Sequence, residues 1–356
     1  MIIQVGGSRA GNLGARASDG AIHVDINGAA PVVTQMTPMA FDRIWVSATV
    51  LPNGEVLMTG GSAYDNQLQD TALTAEMWNP TTKTFRPLAS TPIARMYHST
   101  SLLLPDATVL IGGGGAPGPL INLNAEIYSP PYLFDANGNA AARLTIGRST
   151  SREDYNHLSN ISWTGAGTVA KAAMIRTGAV THSNDMEQRF IPLNFVVRGN
   201  TVDVRMPANA NLAPPGYYHI FLLNAAGVPS VSKIVSLGVA REKNVLLPGD
   251  ALSGGDSLVS PDGRHKLTFQ ADGNLALYTG NNQAIWASGT FNKGGVKAVM
   301  QADGNLVIYN QANQALWSSG TFGAQFAGGK LVLQNDSNLV IYKDGKAYWA
   351  SNTCCR

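Results

Sequence analysis

Three nine-residue segments near the C-terminus carry the same polar groups at the same spacing. They are Gln270-Ala-Asp272-Gly-Asn274-Leu-Ala-Leu-Tyr278, Gln301-Ala-Asp303-Gly-Asn305-Leu-Val307-Ile-Tyr309 and Gln334-Asn-Asp336-Ser-Asn338-Leu-Val340-Ile-Tyr342. Each holds an amide, a carboxylate, a second amide and a phenol at offsets 0, 2, 4 and 8. If each segment is one β-strand, even offsets share a face. The four groups then line one side, while Leu275/Leu277, Leu306/Ile308 and Leu339/Ile341 turn toward a core. A row of fixed donors and acceptors beside a small apolar residue suits a saccharide, with hydroxyls to bridge and C–H patches to cover.

The elements that would hold these rows repeat with them. The segments recur after 31 and 33 residues, and each is followed by a tryptophan: Trp286, Trp317 and Trp349. Three similar sheets with three central tryptophans, over residues 244–352, predict a three-fold β-prism. A different repeat fills residues 1–129. Gly doublets end the β-rich runs Ile2-Ile-Gln-Val-Gly6-Gly7, Val56-Leu-Met-Thr-Gly60-Gly61 and Val109-Leu-Ile-Gly112-Gly113, spaced 54 and 52 residues apart. Arg43-Ile-Trp45 and Arg95-Met-Tyr97 precede the second and third doublets, and Ala75-Glu-Met-Trp78 and Ala125-Glu-Ile-Tyr128 follow them. A period near 50 with these marks predicts kelch-type propeller blades, two to three of them. Between the two repeats, residues 130–239 alternate short apolar runs with polar turns, which predicts a β-sandwich of immunoglobulin type. The fold class is therefore all-β: partial kelch propeller blades, an Ig-like sandwich and a C-terminal three-fold prism.

Composition agrees. Of 356 residues, only 13% are charged and 38 are glycine, a balance that suits turn-rich β structure. A net charge of +2 without basic runs gives no electrostatic case for nucleic acid or a membrane surface. No apolar stretch is long enough to span a bilayer. Cysteine occurs only as Cys354 and Cys355, which read as a disordered tail carrying reactive thiols rather than a disulfide framework. The N-terminal residues lack the features of a signal peptide and read as the middle of a strand. The chain is thus expected to be the C-terminal part of a longer protein.

Residues 244–352 resemble the bulb-type, monocot mannose-binding lectins, whose motif is Gln-x-Asp-x-Asn-x-Val-x-Tyr. The second and third rows match it fully, and the first has Ala276 in place of valine. The resemblance implies mannose-containing glycans as partners. It implies that Asp and Asn bond the 2-hydroxyl, Gln the 3-hydroxyl and Tyr the 4-hydroxyl, with Val against the ring. Gln270, Asp272, Asn274 and Tyr278 are then expected to form the weakest of the three sites.

Residues 1–239 resemble the galactose oxidase and glyoxal oxidase group. The resemblance rests on Arg95-Met-Tyr97-His98-Ser-Thr-Ser through Gly112–Gly115, on Thr181-His182-Ser-Asn-Asp-Met-Glu-Gln188-Arg189, and on Ala213-Pro-Pro-Gly-Tyr-Tyr218. It implies a secreted copper radical oxidase in which Tyr97 is the axial phenol and His98 and His182 are the copper imidazoles. Two imidazoles suit Cu(II), and a phenol can accept a proton. The group also needs a tyrosine cross-linked to a cysteine, which it carries in earlier blades. No cysteine precedes Cys354 here, so no complete catalytic set is expected in this chain, and copper is expected only if further blades complete the site. His23, His157, His219 and His265 are isolated and read as surface or core residues. No Ser-His-Asp set, P-loop or dinucleotide fingerprint is present. An unclosed propeller would leave sheet edges open, so self-association through that edge or through the prism is a further expectation.

Overall fold

The structure is a computed structural model that describes residues 2–8, 14–165, 167–239 and 242–354. Among the described residues it is β throughout, apart from one short 3-10 turn at Pro131–Leu133, and no helix is long and apolar enough to cross a membrane. The chain divides into two compact units: residues 1–149 with 153–238, and residues 150–152 with 239–356.

The first unit begins with three blade-like antiparallel sheets. Ser47–Val50, Val56–Thr59, Thr74–Asn79 and Thr84–Ser90 form a four-stranded meander. Ile2–Val5, Ala21–Asp25 and Val32–Gln35 form a three-stranded sheet, as do Ser99–Leu103, Val109–Gly113 and Ala125–Tyr128. The Gly doublets are the points where one sheet meets the next. The Gly7 amide donates to the Arg43 carbonyl at 2.8 Å, and the Gly61 amide to the Arg95 carbonyl at 2.6 Å. A Cβ on Gly6 would lie 2.3 Å from the Arg43 oxygen, and one on Gly60 2.5 Å from the Arg95 oxygen. Both glycines also have positive φ, so no other residue fits without strain.

The arginines of those contacts are internal struts, which their sequence spacing alone does not reveal. Arg43 bonds the Gly60 and Thr74 carbonyls and pairs with Glu76 at 2.8 Å, both side chains being buried. Arg95 repeats the pattern, bonding the Gly113 and Asn124 carbonyls and pairing with Glu126 at 3.1 Å. A guanidinium suits the task because its planar fork can satisfy several acceptors at once.

The remainder of the first unit is a two-sheet sandwich. Leu144–Ile146, Leu158–Gly165, Thr201–Arg205 and Phe195–Arg198 adjoin in that order in one sheet. Lys233–Leu237, Gly216–Leu223, Lys171–Arg176 and Phe190–Pro192 lie side by side in the other. Their inner faces bury Leu144, Ile161, Trp163, Met174, Val202, Tyr218 and Leu222 in one cluster. The Tyr218 hydroxyl donates to the Pro214 carbonyl four residues upstream at 2.6 Å, the tyrosine corner of Ig-like folds.

The second unit is three four-stranded sheets. Each has three strands from one sequence repeat and a fourth from the segment that precedes all three repeats. Val245–Leu246, Ala251–Ser253 and Ser257–Val259 join, respectively, the sheets containing Leu339–Lys343, Leu306–Asn310 and Leu275–Thr279. The three leucine-rich inner faces form one cluster, with the tryptophans packed against it. Trp286, Trp317 and Trp349 meet edge to face at 5.7, 5.8 and 5.9 Å with interplanar angles of 75–78°, an almost exact three-fold arrangement. Cys354 is exposed and follows the buried, hydrogen-bonded Thr353, so the chain is anchored up to its last described residue but one; Cys355 lies outside the described residues.

Candidate functional site

The polar rows are not single strands, as their alternation suggested. In each repeat the strand starts only after the second amide: Leu275–Thr279, Leu306–Asn310 and Leu339–Lys343. The preceding Gln-x-Asp-x-Asn is a hairpin turn. The Asp carboxylate accepts the backbone N–H of the Asn two residues on, at 2.9, 3.1 and 2.9 Å in the three repeats. Gly273 and Gly304 sit at φ 81° and 91°, where a turn needs a left-handed residue. Ser337 takes that conformation in the third repeat, and its hydroxyl bonds the Thr353 carbonyl at 2.5 Å. The period-2 pattern was genuine only from the leucine onward; the Asp-Gly-Asn turn chemistry overrides it before that point.

The hairpin makes the row compact. Eight residues of straight strand would separate Gln and Tyr by about 26 Å. Instead the Gln amide donates to the Tyr hydroxyl at 3.0 Å in Gln270/Tyr278, 2.8 Å in Gln301/Tyr309 and 3.1 Å in Gln334/Tyr342. Ala276, Val307 and Val340 lie between the Asn and Tyr positions and are 2–3% exposed. The Ala276 difference therefore falls on a position that offers a ligand little surface in any of the three rows.

A second layer fixes the amides, built from residues whose role the sequence alone does not reveal. The segments after each tryptophan end in Ser-x-Thr: Ser288/Thr290, Ser319/Thr321 and Ser351/Thr353. Each serine hydroxyl donates to the side-chain oxygen of Asn274, Asn305 or Asn338 at 3.0, 3.0 and 3.2 Å. Each threonine hydroxyl donates to the carbonyl of Gly273, Gly304 or Ser337 at the turn. The exact repetition of Ser-x-Thr behind Trp was the available signal.

These bonds determine what each row leaves free. The Asn carbonyl oxygen is taken, so its NH2 remains as donor. One Asp oxygen is taken, so the other remains as acceptor. The Tyr oxygen accepts from Gln, so its own hydrogen remains, and so does the Gln carbonyl oxygen. Two donors and two acceptors per row are left over from these bonds, in the same order each time.

In the first unit, the structure brings together residues far apart in sequence. Tyr97 and His98 have ring centroids 3.7 Å apart, and His182 lies 5.6 Å from Tyr97 and 4.9 Å from His98. Trp45 joins them, tilted on Tyr97 at 4.5 Å, with its indole N–H donating to Asp65 at 2.5 Å. His98 and His182 have φ of 64° and 52°, and Trp45 has 63°, so all three are presented from left-handed turns. Such backbone is costly for bulky residues and clusters at functional sites. The Thr181 hydroxyl holds His182 Nδ1 at 2.6 Å. The Ser99 and Ser183 hydroxyls meet at 3.2 Å and tie the two loops together. Gln188 crosses to the Val50 amide and the Ala48 carbonyl. Among the described residues no three His, Cys, Asp or Glu side chains form a metal-sized group.

Residues 8–130 match the family described as Glyoxal oxidase N-terminus, and residues 143–237 match Galactose oxidase-like, Early set domain. The matched residues of the first unit are thus similar to galactose and glyoxal oxidases. The chain is 37% identical over 200 residues to galactose oxidase from Gibberella zeae, covering 55% of this chain and 29% of that one. A solved fungal alcohol oxidase in complex with copper superposes with a TM-score of 0.62 at 31% identity, covering 66% of this chain and 51% of that one. The chain thus spans less than a third of the first relative and about half of the second. Monomeric monocot mannose-binding lectins from Gastrodia elata align at 43% identity over 31% of this chain and 98% of theirs, with a TM-score of 0.28.

Proposed function

We propose that the second unit binds mannose-type saccharides through its three rows, and that it is carried on a galactose oxidase-like scaffold. The observation behind this reading is the set of groups each row leaves free. One carboxylate oxygen and one amide NH2 can bracket a hydroxyl, and a second acceptor and a phenolic hydrogen stand beyond them. The Ser–Asn and Gln–Tyr bonds, with the Asn backbone N–H on the Asp carboxylate, hold all four before any ligand arrives, which lowers the ordering cost of binding. The sites are open and half-buried, so each is weak, on the order of millimolar. Three sites on one chain gain avidity from branched or surface-bound glycans. An extracellular setting belongs to this reading by resemblance of the first unit. Titrating methyl α-mannoside into the full chain tests it; a flat titration with unmoved row residues would refute it.

A second reading concerns Tyr97, His98 and His182. Their convergence fits the copper half of an oxidase site: two imidazoles and a phenol, all within ring contact and with both imidazoles exposed. Bound copper would supply a one-electron couple. The thioether partner does not fit within this chain, because no cysteine precedes Cys354. On this reading the residues present here bind the metal, and alcohol or aldehyde oxidation requires groups that this sequence does not contain. Copper-dependent peroxide release by this chain alone would overturn that restriction.

A further inference from the structure

Beyond each tyrosine the rows continue to a lysine. The residue four positions before each row's first Gln is Lys266, Lys297 or Lys330. The register sets Lys266 opposite Tyr278, Lys297 opposite Tyr309 and Lys330 opposite Tyr342. Directly paired residues of an antiparallel ladder share a face, so each lysine stands beside its tyrosine on the row's side. In the second row the Lys297 ammonium is 5.9 Å from the Tyr309 ring centre. In the third, Lys330, Val332, Tyr342, Lys343 and Asp344 line an open depression of about 520 Å³.

The position between lysine and glutamine is Thr268, Val299 and Val332 in the three repeats, so the strand tolerates change there, whereas the lysine is the same each time. These strands lie inside their sheets, so lysine is not blunting an edge. Among the described residues none of the three ammonium groups is paired with a carboxylate. Within a row, the carboxylate and the ammonium stand at opposite ends. The Asn-to-Tyr stretch alone covers about 13 Å of strand. A ligand spanning the row therefore meets an acceptor at one end and a cation at the other.

We infer that the rows recognise anionic saccharides: a hexose held between Asp and Tyr, with a phosphate or carboxylate substituent reaching the lysine. This rests on the reading of the rows as saccharide sites. The test is a titration of the full chain with methyl α-mannoside, mannose 6-phosphate, mannuronate and inorganic phosphate, repeated on K266Q/K297Q/K330Q. At low salt the anionic sugars bind up to about fivefold more tightly than the neutral mannoside, the gain typical of an exposed ion pair. High salt removes the advantage. The triple variant brings the anionic sugars down to the mannoside's affinity and leaves the mannoside unchanged. Phosphate and uronate arms show which anion the lysines accept. Equal or weaker binding of both anionic sugars overturns the inference, as does inorganic phosphate competing as well as the sugar phosphate. Failure of the mannoside itself to bind refutes the saccharide reading instead.

Discussion

The two units build their polar sites in opposite ways. In the second unit every group of a row lies within nine residues, and the same turn, strand and Ser-Thr support recur three times. In the first unit the cluster of Trp45, Tyr97, His98 and His182 occurs once and draws on three loops that span well over a hundred residues. A local site is set by its own hairpin and can be copied with it. A convergent site exists only if the whole scaffold places its loops, so its supports are long-range: Arg43 with Glu76, Arg95 with Glu126, and Gln188 with the Ser47–Val50 strand. Damage should therefore spread in the first unit and stay confined in the second.

The largest expected effect follows from the arginine struts. Arg43→Met leaves Glu76 buried without its partner and should cost about 3–5 kcal/mol. Arg95→Met should cost less, because Glu126 is 19% exposed while Glu76 is 1% exposed. Thermal unfolding of each variant checks the order, and equal losses would show that burial of the acid does not govern the strut.

Next comes a pH effect confined to the first unit. His219 is buried beside the Ser232 hydroxyl at 2.8 Å, and burial lowers its pKa from 6.5 to about 4. The folded state thus holds the neutral imidazole, while the unfolded chain takes up a proton below pH 6.5. Stability is complete above that value and falls as the pH drops toward about 4, by about 3 kcal/mol in all. In His219→Gln this slope should flatten. Denaturant melts between those pH values measure it, and an unchanged slope would remove His219 as the cause.

Smaller effects should appear when single rows are edited. Asp336→Asn keeps an oxygen for the turn but replaces the free acceptor with a donor. Mannoside affinity at that row should fall about tenfold, corresponding to about 1.4 kcal/mol, with little change in melting temperature. Tyr342→Phe removes one free hydrogen and should cost severalfold. Backbone NMR shifts of the other two rows should not move in either variant; coupled losses would mean that the rows are not independent.

Much of this was legible in the sequence, for physical reasons that differ by region. The tryptophan period gave the prism because each tryptophan serves the same three-fold contact. The Gly doublets gave the blade period because a Cβ there would strike the next sheet. The row residues show in the sequence as a repeating polar set, but their hairpin does not, since alternation continues in register through the turn between Asp and Asn. Ser288, Ser319 and Ser351 act on amides 13 or 14 residues away, and that pairing is invisible until the hairpin folds. Trp45 likewise enters the tyrosine–histidine cluster only through packing of one blade on another.

The central claim is that the three rows are preformed saccharide sites. Its most direct test is calorimetric and NMR titration of the full chain with methyl α-mannoside, beside D272N/D303N/D336N. Saturable millimolar binding that shifts the row residues, and that the triple variant loses while keeping its melting temperature, is the expected result. No heat and no shifts at sugar well above millimolar, or identical binding by the triple variant, would contradict it.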